Sequence, residues 1–198
     1  MTGRRVHVRR AVNSDAPVIR AILEDSFADY VARSGIALPV SAFLDDIGAI
    51  ERDIATIRVF VASVEVRDRS ANYIKTCSTN SVDAGNANYV DTGCANFVDV
   101  GNANYVDVGT VRLELREGGP AYMKKFGVVT RYCGNGIGAA LMKAVDEVII
   151  NSGVKALELF TASKNADIMR FYYTHGFYAA STSLERGYIR ARMRKDYE

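Results

Sequence analysis

The sequence predicts one α/β domain with elements in the order β-α-α-β, a repeat block, then β-β-α-β-α-β-β. Three observations carry that expectation: short runs of alternating apolar residues at both ends, one strongly periodic helical stretch past the middle, and a block of octapeptides that matches neither pattern. A chain of 198 residues has room for one core of useful size, so residues 1–198 are read as a single domain.

The elements follow in order. Arg5 to Arg9 alternates, with Val6 and Val8 on one face and Arg5, His7 and Arg9 on the other, as a half-buried strand does. His7 then falls on the solvated face. Asn13, Ser14 and Asp15 offer capping side chains and first-turn negative charge to a helix carrying Ile19, Ile22, Leu23, Phe27 and Tyr30. A second helical stretch runs from about Val40 to Ile54, with Phe43, Leu44, Ile47 and Ile50 as its stripe. Arg58 to Val64 reads as a strand leading into the repeats.

Residues 70 to 109 divide into five octapeptides with Asn at the third position of each: Asn72, Asn80, Asn88, Asn96 and Asn104. Nothing like them occurs elsewhere in the chain. The block is therefore read as an insertion at about 65–105, between the second and third strands. Each unit joins a β-prone stretch to a turn-prone one. This suits either a chain of short hairpins or a long surface loop. Its Asp-x-Gly-Asn spacing lacks the run of acidic ligands that a calcium loop needs.

Beyond the block, Val106 to Leu115 and Tyr122 to Val129 read as strands. Ile137, Ala140, Leu141, Ala144, Val145, Val148 and Ile149 mark a core-facing helix, and Gly153 stands where a left-handed cap belongs. A strand over Leu157 to Thr161 and a short helix over Asn165 to Thr174 follow, the helix stopped by Gly176. Ile189, Ala191 and Met193 alternate with Arg190, Arg192 and Arg194 in a last strand, whose arginines read as a solvated face.

Composition excludes several classes. Net charge is +2, so no strong field draws nucleic acid or an anionic membrane. No apolar run is long enough to span a bilayer, and the basic N-terminus lacks the apolar stretch of a secretory signal, which predicts a cytoplasmic protein. Cys77, Cys94 and Cys133 form no CxxC pair and no His cluster joins them, so no metal is expected.

Chemistry concentrates in VVTRYCGNGIGAAL, which runs from a strand into the strongest helix. The glycines clear side chains from the turn, and the first helical amides point unpaired into the opening. Free N–H groups at the positive end of a helix dipole make an anion site, and a pyrophosphate suits it. The loop is no Walker A motif, because no Gly-Lys-Ser/Thr follows. It is a poor dinucleotide fingerprint, because it follows a β-meander and lacks the acidic residue on a next strand.

Val128 to Leu141 resembles motif A of the GNAT superfamily of N-acetyltransferases, V-x-P-x-Y-[RQ]-G-x-G-[IL]-G, through Val128, Tyr132, Gly134, Gly136, Ile137 and Gly138. NADIMRFYYTHGF resembles a second family segment through Asn165, Phe171, Tyr172, Gly176 and Phe177, and the first half of the chain also looks like the family. The resemblance implies the GNAT fold, a central, mostly antiparallel mixed sheet with flanking helices, and acetyl transfer from acetyl-CoA to an amine by direct attack. It implies that the backbone of Phe126, Gly127 and Val128 runs along the pantetheine arm, and that the Val128 amide faces the thioester oxygen. It further implies that the amides of Cys133, Gly134, Asn135, Gly136, Ile137 and Gly138 bind the pyrophosphate. Asn165 and Phe171 would contact the cofactor, Asn165 through the pantetheine arm or a nearby backbone group. Tyr172 would donate a proton to the departing thiolate.

Two departures stand out. Thr130 replaces the usual Pro. Cys133 replaces the usual Arg or Gln, so one polar contact to the phosphates is missing, and Arg131 or Lys143 could supply the charge. A thiol at a helix N-terminus is also expected to have a lowered pKa, although no His or Asn partner accompanies it as a nucleophile would need.

Other candidates are weaker. Glu114 and Glu158 are candidate general bases acting through water. Tyr30 and the Asp45–Asp46 pair border the acceptor pocket by analogy with the fold. His175 suits a helix C-terminus as a cation, and Tyr173 reads as packing. The expected partners are acetyl-CoA and an amine-bearing acceptor, with no nucleic acid and no membrane, and a homodimer stays open. A rival reading is a non-catalytic acyl-CoA-binding or interaction module with the repeats as its partner surface.

Overall fold

The computed structural model describes residues 5–36, 45–65, 105–185 and 187–198. The repeats as far as Asn104, Cys77, Cys94, and the Val40, Phe43 and Leu44 part of the second helical stretch lie outside the described residues.

Seven strands form one sheet: β1 (Val6–Arg10), β2 (Arg58–Glu65), β3 (Tyr105–Glu114), β4 (Ala121–Val128), β5 (Ala156–Ala162), β6 (Tyr178–Glu185) and β7 (Tyr188–Asp196). Their spatial order is β1-β2-β3-β4-β5-β7-β6, and every pair is antiparallel except β4 with β5. The helices are α1 (Ala16–Ser34), α2 (Ile47–Thr56), α3 (Ile137–Ser152) and α4 (Ala166–Thr174). The order is the one the sequence predicts. The second helix begins later than its periodicity suggests, because the Asp46 side chain caps it by accepting the Ala49 N–H at 2.7 Å.

β2 is buried on both faces, so its apolar residues run without a break and divide by parity. Val59 and Val61 pack with Ile19 and Leu23 of α1 and Ile50 and Ile54 of α2. Phe60, Ala62 and Val64 pack with Ile137, Leu141, Val145 and Ile149 of α3. The sheet is thus sandwiched, with α1 and α2 on one side and α3 on the other. Each buried Val, Leu, Ile or Phe among them contributes about 1.5–3 kcal/mol of transfer free energy. Gly153 caps α3 in the left-handed conformation at φ 68°.

Glu65 and Tyr105 are register partners at the end of the β2–β3 ladder. The segment carrying the repeats therefore leaves and re-enters the sheet at one rung.

The polar face of β1 is not simply solvated. Arg9 reaches Asp15 at 2.6 Å and Asp107 at 3.0 Å, and Asp107 accepts from Ser63 at 2.5 Å. Asp15 is fully buried and also takes the Val12 N–H at 2.8 Å, so its carboxylate joins β1 to the start of α1 instead of capping that helix. Burial pushes the Asp107 carboxyl up, and Ser63 and Arg9 oppose the shift.

Gly109 of β3 lies beneath the first turn of α3. A Cβ there would stand 2.9 Å from Ile137 Cγ2, 3.1 Å from Leu141 Cδ1 and 3.4 Å from the Ala62 Cβ. All three neighbours are buried. Gly109→Ala is expected to destabilise the fold by about 1–3 kcal/mol through overpacking. The check is a lowered urea midpoint at constant slope, and an unchanged midpoint would mean that α3 yields without strain.

Candidate active site

β4 and β5 pair at two rungs only, Ala121 with Leu157 and Tyr122 with Glu158. Beyond them the parallel strands diverge. Among the described residues, the β5-facing edge of β4 has no strand partner from Met123 onward, and a cleft of about 580 Å³ opens there. Met123 to Val128 line one wall and Leu159 to Thr161 the other.

A bulge shapes the open edge. Thr110 pairs with Gly127 and Arg112 with Lys124, so Val111 faces two residues, Lys125 and Phe126. Lys125 takes up the distortion at φ 53°. After the bulge, Val129 donates its N–H to Val108 at 2.8 Å. Backbone N–H groups alternate along a strand, so the Val128 N–H turns the other way, to the open edge.

The glycine loop lies at the end of that edge. A 3-10 turn over Thr130–Tyr132 leads into Cys133, Gly134 and Asn135. Gly136 then starts α3 at φ 79° with no side-chain cap. The first amides of α3 are left to an incoming acceptor of hydrogen bonds. Cys133, Gly134, Gly136, Ile137 and Gly138 all line the cleft. Asn135 does not; its side-chain amide donates to the carbonyls of Tyr132 at 3.1 Å and Cys133 at 3.2 Å, bracing the loop. At Gly138 a Cβ would stand 3.1 Å from the Phe171 ring, so glycine lets α4 close against the first turn of α3.

The Cys133 residue is exposed, yet its sulfur turns back toward the Val128 and Val129 carbonyls at 3.8 and 3.9 Å. Burial pushes the thiol pKa up, and Asp29 and Asp25 add to the shift. The shift runs opposite to the lowering expected from the helix terminus, with desolvation as its largest cause. The nucleophile reading loses its basis with it.

α4 supplies the rest of the wall. Tyr172 is 5% exposed and lines the cleft, with Phe126, Phe171 and Phe177 at ring centroid distances of 6.4, 5.5 and 5.6 Å. Burial drives its phenol pKa well above the ordinary value. Asn165 caps α4 by accepting the Ile168 N–H at 3.3 Å and donates to Ser34 at 3.2 Å. The Tyr30 hydroxyl accepts the Ala162 N–H at 2.7 Å, and Asp25 accepts the Thr130 N–H at 2.6 Å. α1 thus bridges the two diverging strands.

Several sequence candidates fall elsewhere. Glu114 pairs with Arg116 and Lys124, and Glu158 pairs with Arg192 and Arg194; neither lines the cleft. Asp46 is the cap of α2, and Asp45 holds Arg112 at 2.7 Å and Lys125 at 3.3 Å. Arg131 stacks over Tyr132 and Lys143 is 80% exposed beside Glu147, so neither basic residue faces the cleft. Arg33 does, tied to Asp29 at 2.8 Å and Asp167 at 3.1 Å. His175 lines the cleft with its ring nitrogen 2.8 Å from the Phe171 carbonyl. Tyr173, read as packing, is half exposed. The arginines of β7 are not simply solvated: Arg190 pairs with Glu185 and lies over Phe160 at 4.6 Å.

Sequence reasoning missed Lys124 and Lys125 as cleft residues, and singled out neither Phe27 nor Arg33 within the stretch FADYVARSG, which resembles the family's acceptor-side helix. Arg33 had a findable signal, since it lies one turn from Asp29 and on the helix that carries Tyr30. Nothing in the stretch from Met123 to Gly127 announces the bulge that turns Lys125.

Among the described residues, no cluster of His, Cys, Asp and Glu could hold a metal, and no helix is long and apolar enough to cross a membrane.

The profile of the Acetyltransferase (GNAT) family matches residues 70–177, more than half of the 198, and the chain belongs to that family. No protein of curated function matches the sequence. Solved structures share the fold. The PaiA N-acetyltransferase of Thermoplasma acidophilum, in complex with coenzyme A, superposes with a TM-score of 0.67 at 15% identity over 98% of this chain and 99% of its own. The ribosomal-protein-S18-alanine N-acetyltransferase of Escherichia coli gives 0.61 at 12% identity over 97% and 94%. YncA of Salmonella typhimurium, with its cofactor acetyl-CoA, gives 0.58 at 13% identity over 98% and 95%.

Proposed function

We propose that the chain transfers an acetyl group from acetyl-CoA to an amine by direct attack in a ternary complex. The observation that carries this reading is the unpaired edge of β4 running straight into an uncapped, glycine-bordered helix N-terminus. An extended polar arm can pair with that edge as an added strand would, while a pyrophosphate meets the loop amides. PaiA is described with coenzyme A and YncA with acetyl-CoA, which supports the same ligand here.

The roles follow from position. The backbone of Phe126, Gly127 and Val128 would hold the pantetheine arm, and the Val128 N–H would face the carbonyl oxygen that gains charge as the amine attacks. Amides of Cys133, Gly134, Gly136, Ile137 and Gly138 would hold the pyrophosphate, with Asn135 bracing the loop. Phe171 and Asn165 would shape the arm's passage, Asn165 by fixing the start of α4. Tyr172, buried and kept protonated, would give its proton to the departing thiolate. The bound thioester supplies the acyl group, so the chain itself forms no covalent bond. The repeat block is proposed as an insertion, supported by the Glu65–Tyr105 rung from which it departs and to which it returns.

Calorimetric titration with acetyl-CoA, with NADH and ATP as controls, tests the reading. Selective binding followed by amine-dependent thiol release would support it. Binding without turnover would favour the acyl-CoA-binding module, and no binding would sink both.

Arg33 faces the cleft, and its charge lowers the Cys133 thiol pKa, so it lies where the motif's missing cation would act. Arg33→Ala is expected to weaken acetyl-CoA binding by about fivefold or less, the scale of an exposed ion pair. Cys133→Arg should strengthen it by a similar factor. Calorimetry on both variants decides, and unchanged affinity in each would remove side-chain charge from the phosphate site.

A further inference from the structure

Each lip of the cleft ends in a backbone amide that the diverging strands leave to another partner. On the β4 side the Val129 N–H goes to Val108 of β3, so the Thr130 N–H turns to the same edge as that of Val128, and Asp25 accepts it at 2.6 Å. On the β5 side the Ser163 N–H goes to Ile189 of β7, so the Ala162 N–H turns to the cleft, and the Tyr30 hydroxyl accepts it at 2.7 Å. Both acceptors belong to α1. Five residues of helix span about 7.5 Å, more than the 4.8 Å or so between paired strands. The two bonds therefore suit lips held apart.

Between the two bonds α1 rests directly on β4. A Cβ at Gly127 would stand 3.2 Å from Ser26 Cβ and 3.6 Å from Leu23 Cδ2, so only a bare backbone admits the helix beside Val128. Thr130 stands where the motif usually has Pro, and a proline has no N–H to give Asp25. Val129, at ψ 127°, already has the extended backbone that precedes a proline. The turn would accept Pro, and this chain carries a donor there instead.

We propose that Asp25 and Tyr30 are positioning residues: with one on each lip, α1 is a strut that fixes the width of the β4–β5 opening and so the place of the Val128 N–H against the thioester. The inference rests on the acetyl-transfer reading and adds the residues that align its site. Asp25 acts through the backbone two residues beyond Val128, and Tyr30 through the end of the facing strand. Neither moves a proton in the reaction. An N–H aimed at a developing oxyanion loses much of its effect when it is misplaced by about 1 Å. Because one rigid helix carries both bonds, freeing either lip frees the spacing.

Kinetics and amide hydrogen exchange on the full chain test it, with acetyl-CoA as donor and the best acceptor among spermidine, phenethylamine, phenylalanine and an alanyl peptide. Asp25→Ala, Thr130→Pro and Tyr30→Phe should each lower kcat by about tenfold, with acetyl-CoA affinity within about threefold of the parent. Asp25→Asn keeps an oxygen acceptor and should restore most of the rate. Asp25→Ala with Tyr30→Phe should be little slower than either alone, whereas independent sites would multiply. In Asp25→Ala the Ala162 amide, on the far lip, should exchange faster. Asp25 is exposed, and Tyr30→Phe keeps the ring beside Phe27, so the fold should hold. A kcat within about threefold of the parent in Asp25→Ala, losses that multiply, or an Ala162 amide indifferent to Asp25 overturns the inference. A parent that binds no acetyl-CoA, or turns it over with no amine, overturns the reading beneath it, and the exchange measurement then decides on the strut by itself.

Discussion

Tyr172→Phe is expected to lower kcat for acetyl transfer by about 100-fold, the low end of what a positioned proton donor contributes. The substitution keeps the ring, and the ring is what packs: Phe126, Phe171 and Phe177 surround it at centroid distances of 5.5 to 6.4 Å. Only the hydroxyl is lost, so acetyl-CoA affinity should hold and stability should change by no more than about 1 kcal/mol. That split between kcat and binding separates proton donation from packing. A kcat within a factor of about three of the parent would reduce Tyr172 to a wall residue, since so small a change corresponds to well under 1 kcal/mol of barrier. The pH dependence has a definite sign. Burial raises the phenol pKa, so the protonated form that the role requires is held through neutral pH and past the ordinary tyrosine value of about 10. Loss of kcat attributable to Tyr172 ionisation should therefore be absent below pH of about 10. A Tyr172-dependent fall near neutrality would contradict the burial.

The fold was legible where one periodicity dominated. The apolar steps of α3 and the alternation of β7 come from faces that meet a single environment, so burial writes a simple pattern into the sequence. β2 was legible for the opposite reason, because burial on both faces leaves an unbroken apolar run. The glycine loop could be read as the start of α3, since Gly134 and Gly136 take positive φ there and the helix begins without a side-chain cap. What stayed hidden depends on contacts distant in sequence. Arg9 looks like a surface residue until Asp15 and Asp107 are brought to it, and Asp107 lies in the repeat-like stretch. The thiol of Cys133 was misread because the dipole is local, whereas burial and the carboxylates of α1 belong to tertiary packing. Lys125 was missed because a bulge is a mismatch between two strands and neither strand records it alone.

Asp53→Ala is expected to destabilise the fold by about 3 kcal/mol, the low end for breaking a buried ion pair. Arg112 is the reason. At 2% exposure its guanidinium is almost wholly withdrawn from solvent, and its NH1 is held by Asp53 at 2.6 Å and Asp45 at 2.7 Å. Removing Asp53 leaves half of that compensation and also deprives Lys124 of a carboxylate at 3.8 Å. Asp45 remains, which is why the low end applies. Asp53→Asn should cost less, because an amide oxygen can still accept from the guanidinium although the charge is gone. The ordering Ala worse than Asn, read from urea midpoints, tests whether hydrogen bonding or net charge dominates at this position. Equal losses would assign the effect to charge, and a loss under about 1 kcal/mol for both would show Arg112 finding water or another partner when Asp53 is removed. Because Arg112, Lys124 and Lys125 divide the same aspartates, Asp45→Ala with Asp53→Ala should be more costly than the two single losses added together. The second removal leaves the buried guanidinium with no carboxylate among those that now hold it.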